Sequence, residues 1–231
     1  MLKEKENNIA ILLMGGEGRR FSPSLPKQFF LIKGKPLFFY ASKTLNDSKD
    51  IDFIIYVAPK NFISETEKYI SELGLKKEHA VISGGQSREE STFEAIKYLE
   101  TIKINEKTTI LIQDGDRPFL NERLIEENIN ECKKSGAALT MIPSSDSLAL
   151  VFENKVKRYL PRKDVYLLQT PQTFTFYLIK SAFLCAKFPL KDYTDEGSLL
   201  LEESIVEPSI VLGSKENVKI TEKSDLLAFG E

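Results

Sequence analysis

The chain has few of the residues that build metal clusters and disulfide frameworks. Its 231 residues include two cysteines and one histidine. Cys132 and Cys185 are isolated and show no paired spacing, whereas structural zinc sites and disulfide frameworks need clustered ligands. The sequence therefore predicts neither kind of site, and this use of cysteine favours a cytoplasmic location.

The sequence also lacks long apolar runs and an excess of charge of either sign. No stretch approaches the roughly 20 apolar residues that span a bilayer, and the run at residues 9–14 is too short for a signal peptide. The 32 basic and 34 acidic side chains give a net charge of −2. We therefore expect a cytoplasmic protein that binds neither nucleic acid nor membrane, and any anion site must be local.

Short apolar runs alternate with helical segments along most of the chain. Five runs are apolar on both faces, as parallel strands covered by helices must be; they lie at residues 9–14, 53–58, 80–83, 108–113 and 137–142. The helical segments lie at residues 36–45, 61–73, 87–102 and 121–135. This order predicts an α/β fold with a Rossmann-like, doubly wound, mostly parallel sheet, in one domain over residues 1–231.

Residues 143–170 interrupt this alternation. Residues 152–156 have the pattern of a hairpin tip between extended arms, and Pro143 and Pro161 limit helix formation. A hairpin that leaves its domain exposes strand edges, which a partner must cover. We therefore predict a protruding β-hairpin arm at about residues 143–170 that forms a homodimer.

A glycine-rich, basic loop follows the first predicted strand. Gly15, Gly16 and Gly18 let backbone amides approach an anion closely, and Arg20 and Lys27 add positive charge. The loop matches neither the dinucleotide fingerprint nor a P-loop. A plain turn would also explain the glycines, but the added cations favour an anion site.

Two further blocks follow later strands, at the carboxyl ends where such sheets bind ligands. Gly84 and Gly85 would suit close packing against a flat ligand such as a nucleobase, while Ser87 and Glu90 have the pattern of a capping box. Asp114 follows the run at residues 108–113, the strongest of the predicted strands, where a carboxylate would hold Mg²⁺. Asp-Gly is also ordinary turn chemistry.

Polar blocks continue downstream of the hairpin. They contain Arg162, residues 169–174, residues 194–196 and Lys219. Thr194 has the pattern of a helix N-cap. Lys219 alternates with apolar residues on a short predicted strand, where a lysine is usually solvated, and a terminal helix is predicted to start near residue 221.

These blocks, in this order, resemble the cytidylyltransferases that act on 2-C-methyl-D-erythritol 4-phosphate and their close relatives that act on D-ribitol 5-phosphate. The resemblance runs over residues 9–229. It rests on Gly-Gly-x-Gly-x-Arg with Pro-Lys-Gln, Asp-x-x-Arg-Pro-Phe, Gln-Thr-Pro-Gln-x-Phe, Thr-Asp-Glu and Asn-x-Lys-Ile-Thr. It implies a nucleotidyltransferase that joins CTP to a sugar-alcohol phosphate, releases pyrophosphate and uses Mg²⁺ or another divalent cation.

The resemblance also implies roles for individual residues. The catalytic cations are Arg20, Lys27 and Lys219. The nucleotide-binding positions are Met14, Gly15, Gly16, Gly18, Gly84, Gly85, Ser91 and Asp114, the last of which also holds the metal. The positions that contact the sugar-alcohol phosphate are Arg117, Arg162, Thr170 and Thr194, with Arg162 reaching from the partner's arm.

The chemistry that the resemblance implies needs no general base. A phosphate monoester is mostly dianionic at neutral pH, because its second pKa is about 6. It can attack the α-phosphorus of CTP directly, and His79 is expected to be structural. The reaction needs two anions held in line and cations that neutralise the growing charge.

Departures from the family pattern leave alternatives open. Gln113 replaces a common histidine, and Asp116 adds a negative charge that should weaken phosphate binding unless it points away. Residues 146–149 lack a lysine that is frequent in the methylerythritol branch. The leading interpretation is the methylerythritol-phosphate enzyme of isoprenoid precursor synthesis, followed by the ribitol-phosphate enzyme. A catalytically weakened nucleotide-binding protein is a third, and a dehydrogenase is opposed by the broken glycine fingerprint.

Overall fold

The computed structural model describes residues 6–15 and 25–230. The strands are β1 (Asn8–Leu13), β2 (Leu31–Ile32), β3 (Lys35–Pro36), β4 (Phe53–Ala58), β5 (His79–Ser83), β6 (Thr109–Asp114), β7 (Ala137–Pro143), β8 (Ala149–Phe152), β9 (Lys155–Tyr159), β10 (Tyr166–Thr175) and β11 (Ser209–Leu212). The α-helices are α1 (Leu37–Asp47), α2 (Ile63–Glu72), α3 (Arg88–Thr101), α4 (Glu122–Ser135), α5 (Phe176–Cys185) and α6 (Glu196–Glu202). Short 3₁₀ helices lie at Lys27–Phe29, Lys60–Phe62, Arg162–Asp164, Leu190–Asp192 and Lys223–Phe229.

Seven strands form the main sheet, in the order β11-β7-β10-β6-β1-β4-β5. β1 pairs in parallel with β4 and β6, and β4 with β5, while β10 runs antiparallel between β6 and β7. The predicted α/β fold with a mostly parallel sheet is confirmed. Because the parallel strands share one direction, the ends of β1, β5 and β6 meet at one edge of the sheet, where such folds bind ligands.

Helices bury both faces of this sheet, which explains why its inner strands are apolar throughout. Along β1, Ile9, Ile11 and Leu13 pack in the layer formed with α3, α5 and α6. Ala10 and Leu12 point the opposite way, into the layer formed with α1, α2 and α4. This alternation follows from the two-residue period of a strand, and it holds the carboxyl edge of the sheet between two packed cores.

Strands β10 and β11 were not predicted from the sequence. Pro171 interrupts β10, and proline in a central strand removes a ladder donor. The pairing of β10 with β7 shifts register between Leu168 and Gln172, so the ladder is broken where the proline lies. The antiparallel direction of β10 places Thr170 beside the end of β6, where its Oγ1 accepts a hydrogen bond from the Asp114 amide at 3.1 Å.

Two local predictions near the C-terminus are wrong, and one is right in part. Lys219 lies in an irregular segment and not on a strand. Asp195, not Thr194, caps α6, because its Oδ1 accepts a hydrogen bond from the Ser198 amide at 2.8 Å. The predicted terminal helix is present as the 3₁₀ helix Lys223–Phe229.

Strands β8 and β9 form a separate two-stranded hairpin, as predicted. Its turn residues Glu153 and Asn154 have positive φ angles of 50° and 58°. The hairpin exposes large apolar side chains, namely Leu150, Val151, Phe152, Val156 and Tyr159. Its role in dimerisation stays a prediction. None of the described helices is long and apolar enough to cross a membrane.

Candidate active site

A polar cavity of about 270 Å³ opens at the carboxyl edge of the sheet. Segments far apart in the chain supply its walls: the start of α3, the end of β6, the middle of β10, the loop before α6 and the segment after β11. The side chains that carry its charge and polarity include Arg88, Asp114, Arg117, Thr170, Thr194 and Lys219.

Asp114 lies at the centre of this cavity and binds cations on both carboxylate oxygens. Its Oδ1 accepts from Arg88 Nε at 3.1 Å, and its Oδ2 accepts from Lys219 Nζ at 2.8 Å. Arg117 Nε lies 3.8 Å from Oδ2. Burial alone would raise the pKa of the Asp114 carboxyl, but Arg88 and then Lys219 outweigh it and hold the pKa well below its usual range. Asp114 is therefore an anion at neutral pH.

Arg88 bridges two buried carboxylates. Its Nη1 donates to Glu196 Oε2 at 2.6 Å while its Nε binds Asp114. The second oxygen of Glu196 accepts from Thr92 Oγ1 at 2.5 Å, and the Glu196 side chain is 0% exposed. Burial opposes the charge on Arg88, but Glu196 and Asp114 together raise its pKa. The guanidinium thus links the sheet edge to the first turn of α6.

Lys27 is buried at the same edge. Its Nζ lies 2.5 Å from Asp116 Oδ2 and donates to the Ile220 carbonyl at 3.0 Å. Lys219 Nζ lies 3.9 Å from Asp116 Oδ1. Lys27, Asp114 and Lys219 therefore belong to one connected group of charges. An anion site would be undisturbed only if Asp116 pointed away from these cations. Its carboxylate instead faces Lys27.

Hydrogen bonds fix the segment that carries Lys219. Arg117 Nη1 donates to the Asn217 carbonyl at 2.8 Å, and Asn217 Nδ2 donates to the Thr170 carbonyl at 2.7 Å. Gln169 Nε2 donates to the Ser214 carbonyl at 2.8 Å. The buried side chain of Ile220 packs with Ile32 and Leu37. These contacts hold the irregular segment in place, and Lys219 Nζ reaches Asp114 from it.

A smaller cavity of about 90 Å³ adjoins the first, and Arg88 lines both. Gly15, Gly85 and Ser91 also line it. Ser91 Oγ accepts from the Gly85 amide at 3.1 Å, and a Cβ placed on Gly84 would lie 2.7 Å from that oxygen. The glycines therefore allow α3 to approach the loop closely. Leu13, Gln86 and Ser87 complete the lining of this small slot.

Asp114 is also the described residue that best fits a divalent cation. A carboxylate has about four lone-pair positions, and each oxygen of Asp114 accepts one hydrogen bond from a cation. Mg²⁺ commonly binds through one or two carboxylates and takes its other ligands from water and phosphates. Among the described residues no cluster of three or more His, Cys, Asp or Glu side chains could hold a metal.

Comparison with known proteins gives one consistent result. A family model described as 2-C-methyl-D-erythritol 4-phosphate cytidylyltransferase matches residues 8–229. The chain belongs to this family. It is 38% identical over 224 residues to the curated protein of that name from Thermosipho africanus, with 96% of each chain covered. It is 37% identical over 223 residues to the one from Thermosipho melanesiensis, again with 96% of each chain covered.

Solved structures of the same family have this fold. The Francisella tularensis 2-C-methyl-D-erythritol 4-phosphate cytidylyltransferase superposes with a TM-score of 0.82 at 25% identity, covering 97% of this chain and 98% of that one. The 4-diphosphocytidyl-2C-methyl-D-erythritol synthase from Anaerococcus prevotii gives 0.80 at 26% identity, covering 96% and 93%. The family resemblance inferred from the motifs is confirmed, and the chain is a nucleotidyltransferase.

The structure of this cytidylyltransferase-family chain gathers most of the candidate residues around the two cavities. Lys27, Asp114 and Lys219 meet as described above, and the candidates that line a cavity are Gly15, Gly85, Ser91, Asp114, Arg117, Thr170, Thr194 and Lys219. Gly84 lies next to the smaller cavity, against Ser91. Met14 is fully buried in the core, so its side chain faces away from any ligand. Arg20, Gly16 and Gly18 lie outside the described residues.

Arg162 is the candidate that the structure does not bring to the cavity within one chain. It lies exposed at the base of the hairpin and donates from Nη2 to Ser147 Oγ at 2.9 Å. Its predicted approach from a partner's arm stays a prediction.

Two functional side chains were missed by sequence reasoning. Arg88 follows Ser87, the N-cap of α3, and was passed over as part of a helix start. Glu196 was interpreted as a helix-start acid, although its side chain is the buried partner of Arg88. The available signal was an arginine three residues after a glycine pair at a strand end, since such a position lies at the ligand edge.

Proposed function

We propose that this protein transfers the cytidylyl group of CTP to the phosphate of 2-C-methyl-D-erythritol 4-phosphate. The observation that carries the proposal is a group of cations from separate segments: Arg88, Arg117 and Lys219 surround the buried anion Asp114. Lys27 joins the same group through the neighbouring Asp116. Such a group has more positive than negative charge in a partly buried site, which suits a polyphosphate. We assign the adjoining small slot to the nucleobase.

The reaction follows from this geometry. A phosphate oxygen of the sugar-alcohol phosphate attacks the α-phosphorus of CTP, a new P–O bond forms, and the bond to the bridging oxygen breaks to release pyrophosphate. The attacking group is already an anion, so the protein positions the two anions and stabilises the charge that develops. Lys27 and Lys219 are assigned to that stabilisation, together with Arg20 of the glycine-rich loop.

We assign the remaining contacts by location. Gly84, Gly85 and Ser91 take the cytosine in the small slot, and Arg117, Thr170 and Thr194 take the sugar-alcohol phosphate in the larger cavity. Asp114 would hold Mg²⁺, which supplies charge neutralisation on the phosphates when it is bound. The names of the relatives favour methylerythritol over ribitol phosphate, and we assign the reaction to isoprenoid precursor synthesis.

We further propose that the protein works as a homodimer in the cytoplasm. Val151, Phe152 and Tyr159 on the hairpin are 61%, 63% and 72% exposed, which is costly for an arm that stays in water. A second copy that covers this arm would also bring its Arg162 near a cavity of the first. The cytoplasmic location rests on the two free cysteines.

Pyrophosphate release tests the proposal. The protein is incubated with CTP, Mg²⁺ and either methylerythritol phosphate or ribitol phosphate, and the Lys27→Ala variant serves as control. We expect release with methylerythritol phosphate and a loss of about 10²–10³-fold in kcat in the variant. Faster release with ribitol phosphate would overturn the substrate assignment. No release with either would support the weakened nucleotide-binding protein.

A further inference from the structure

Asp116 belongs to the charged group, but the proposed reaction gives it no role. Its backbone is held on two sides: the preceding Gly115 amide donates to the Leu13 carbonyl at 2.8 Å, and the Ile220 amide donates to the Asp116 carbonyl at 2.8 Å. Its side chain is only 6% exposed. A carboxylate so placed cannot swing into solvent, so its charge acts inside the site.

This carboxylate takes up a donor of Lys27. An ammonium group has three N–H donors. Two of those on Lys27 are directed at Asp116 Oδ2, at 2.5 Å, and at the Ile220 carbonyl, at 3.0 Å. Among the described residues these two acceptors leave one donor over, and their fixed positions set its direction. A flexible lysine side chain is thereby reduced to one orientation.

The second oxygen of Asp116 is short of a partner. Asp116 Oδ1 is buried and has no hydrogen-bond partner among the described residues. Lys219 Nζ lies 3.9 Å from it while bonded to Asp114. A buried acceptor without a bond reduces stability, so this arrangement is poorly explained by folding alone. It does place one acceptor next to each of the two lysines.

The charge balance separates two possible roles for Asp116. The described group has the cations Lys27, Arg88, Arg117 and Lys219 and the anions Asp114, Asp116 and Glu196, which leaves one net positive charge. Removing the Asp116 charge would leave two. If Asp116 only opposed phosphate, its removal would improve both binding and turnover. If it orients Lys27, removal would leave nucleotide binding intact or tighter but lower turnover.

We propose that Asp116 is a positioning residue for Lys27, holding the ammonium with one N–H free for the reacting phosphates at some cost in anion affinity. The inference rests on the proposed function. According to this inference, Asp116 contributes to kcat and not to substrate binding, although it is an acidic side chain beside an anion site.

The test is a comparison of kcat and KM in Asp116→Ala and Asp116→Asn, with CTP, Mg²⁺ and methylerythritol phosphate. For Asp116→Ala we expect kcat to fall by about 10–10²-fold, the range for a misplaced catalytic group, while KM for CTP stays equal or falls. Asp116→Asn keeps an oxygen acceptor for Lys27, so we expect it to recover part of the loss. Circular dichroism confirms folding, and the isosteric Asn variant serves if the Ala variant does not fold.

Two controls make the result specific. Glu203 is a buried carboxylate that lines neither cavity, and its Oε2 lies 2.9 Å from Lys187 Nζ. Glu203→Gln should leave kcat unchanged. In a Lys27→Ala background, Asp116→Ala should cause no further loss, because its effect passes through Lys27.

An unchanged or higher kcat in Asp116→Ala, or full additivity with Lys27→Ala, would overturn the inference and leave the proposed function standing. A wild-type protein that releases no pyrophosphate would overturn the proposed function itself, and this inference with it.

Discussion

Replacing Arg88 by methionine removes the cation that joins Glu196 to Asp114. Methionine reaches about as far as the arginine Nε and has no charge, so among the described residues the change leaves Glu196 buried with the Thr92 hydroxyl as its side-chain partner. Asp114 keeps its bond to Lys219. The perturbation therefore isolates one buried carboxylate while methionine fills part of the space that the arginine occupied.

The structure sets the size of the effect. Breaking a buried ion pair by removing one partner costs about 3–5 kcal/mol, because the other charge is left uncompensated. Glu196 is 0% exposed on its side chain and 2.6 Å from Arg88, which places the pair in this class. Its remaining bond to Thr92 favours the lower end. We expect the free energy of unfolding to fall by about 3 kcal/mol, a change of about a hundredfold in the folded-to-unfolded ratio.

The assay is urea denaturation followed by circular dichroism, with a matched surface pair as control. Arg123 Nη1 lies at the same 2.6 Å from Glu127 Oε2, but these side chains are 47% and 45% exposed. Arg123→Met should cost less than about 1 kcal/mol, as exposed pairs do. In a double-mutant cycle, Arg88→Met and Glu196→Gln together should cost clearly less than the sum of the single changes.

Equal costs for Arg88→Met and Arg123→Met would refute the reasoning. That result would mean that burial does not strengthen the pair, and the description of Arg88 as a bridge between the sheet edge and α6 would be wrong.

Three further predictions concern other parts of the molecule. Gly85→Ala places a Cβ 2.4 Å from Glu90 Cβ, and we expect a loss of about 1–3 kcal/mol in stability and a raised KM for CTP in steady-state assays. Thiol titration at pH 8 should find one reactive cysteine in the native protein and two after denaturation, because Cys185 is exposed while burial raises the pKa of Cys132 to about 12. Phe152→Asp should convert a dimer into a folded monomer, measured by light scattering; an unchanged mass would contradict the arm's assigned role.

The parallel core of the fold could be predicted because its strands are short apolar runs. The run at 53–58 coincides with β4, and the other four differ by one residue at one or both ends. β10 could not be found this way, since its inner residues are Gln169, Thr170 and Pro171, and their burial depends on neighbours supplied by β6 and β7. An apolar run in the sequence indicates a buried strand, but a buried strand of polar residues leaves no such run.

In the candidate site, too, local sequence patterns predict some residues, while others depend on contacts between distant segments. Asp114 was predicted because it follows a predicted strand, and Lys27 because it adds charge to the glycine-rich loop. Lys219 was predicted only through the resemblance to the family. Arg88 was missed because its partner Glu196 is 108 residues away. A local sequence pattern does not predict an ion pair at that separation. The direction of Asp116 depends on where the Lys27 segment and Ile220 meet, which only the packed structure determines.

The most direct test of the central claim is a crystal structure with CTP and Mg²⁺ bound. We expect the triphosphate in the cavity beside Asp114, with Nζ of both Lys27 and Lys219 within hydrogen-bond distance of phosphate oxygens and the cytosine against Gly84, Gly85 and Ser91. A nucleotide bound elsewhere, or phosphates that leave both lysines without a contact, would contradict the account.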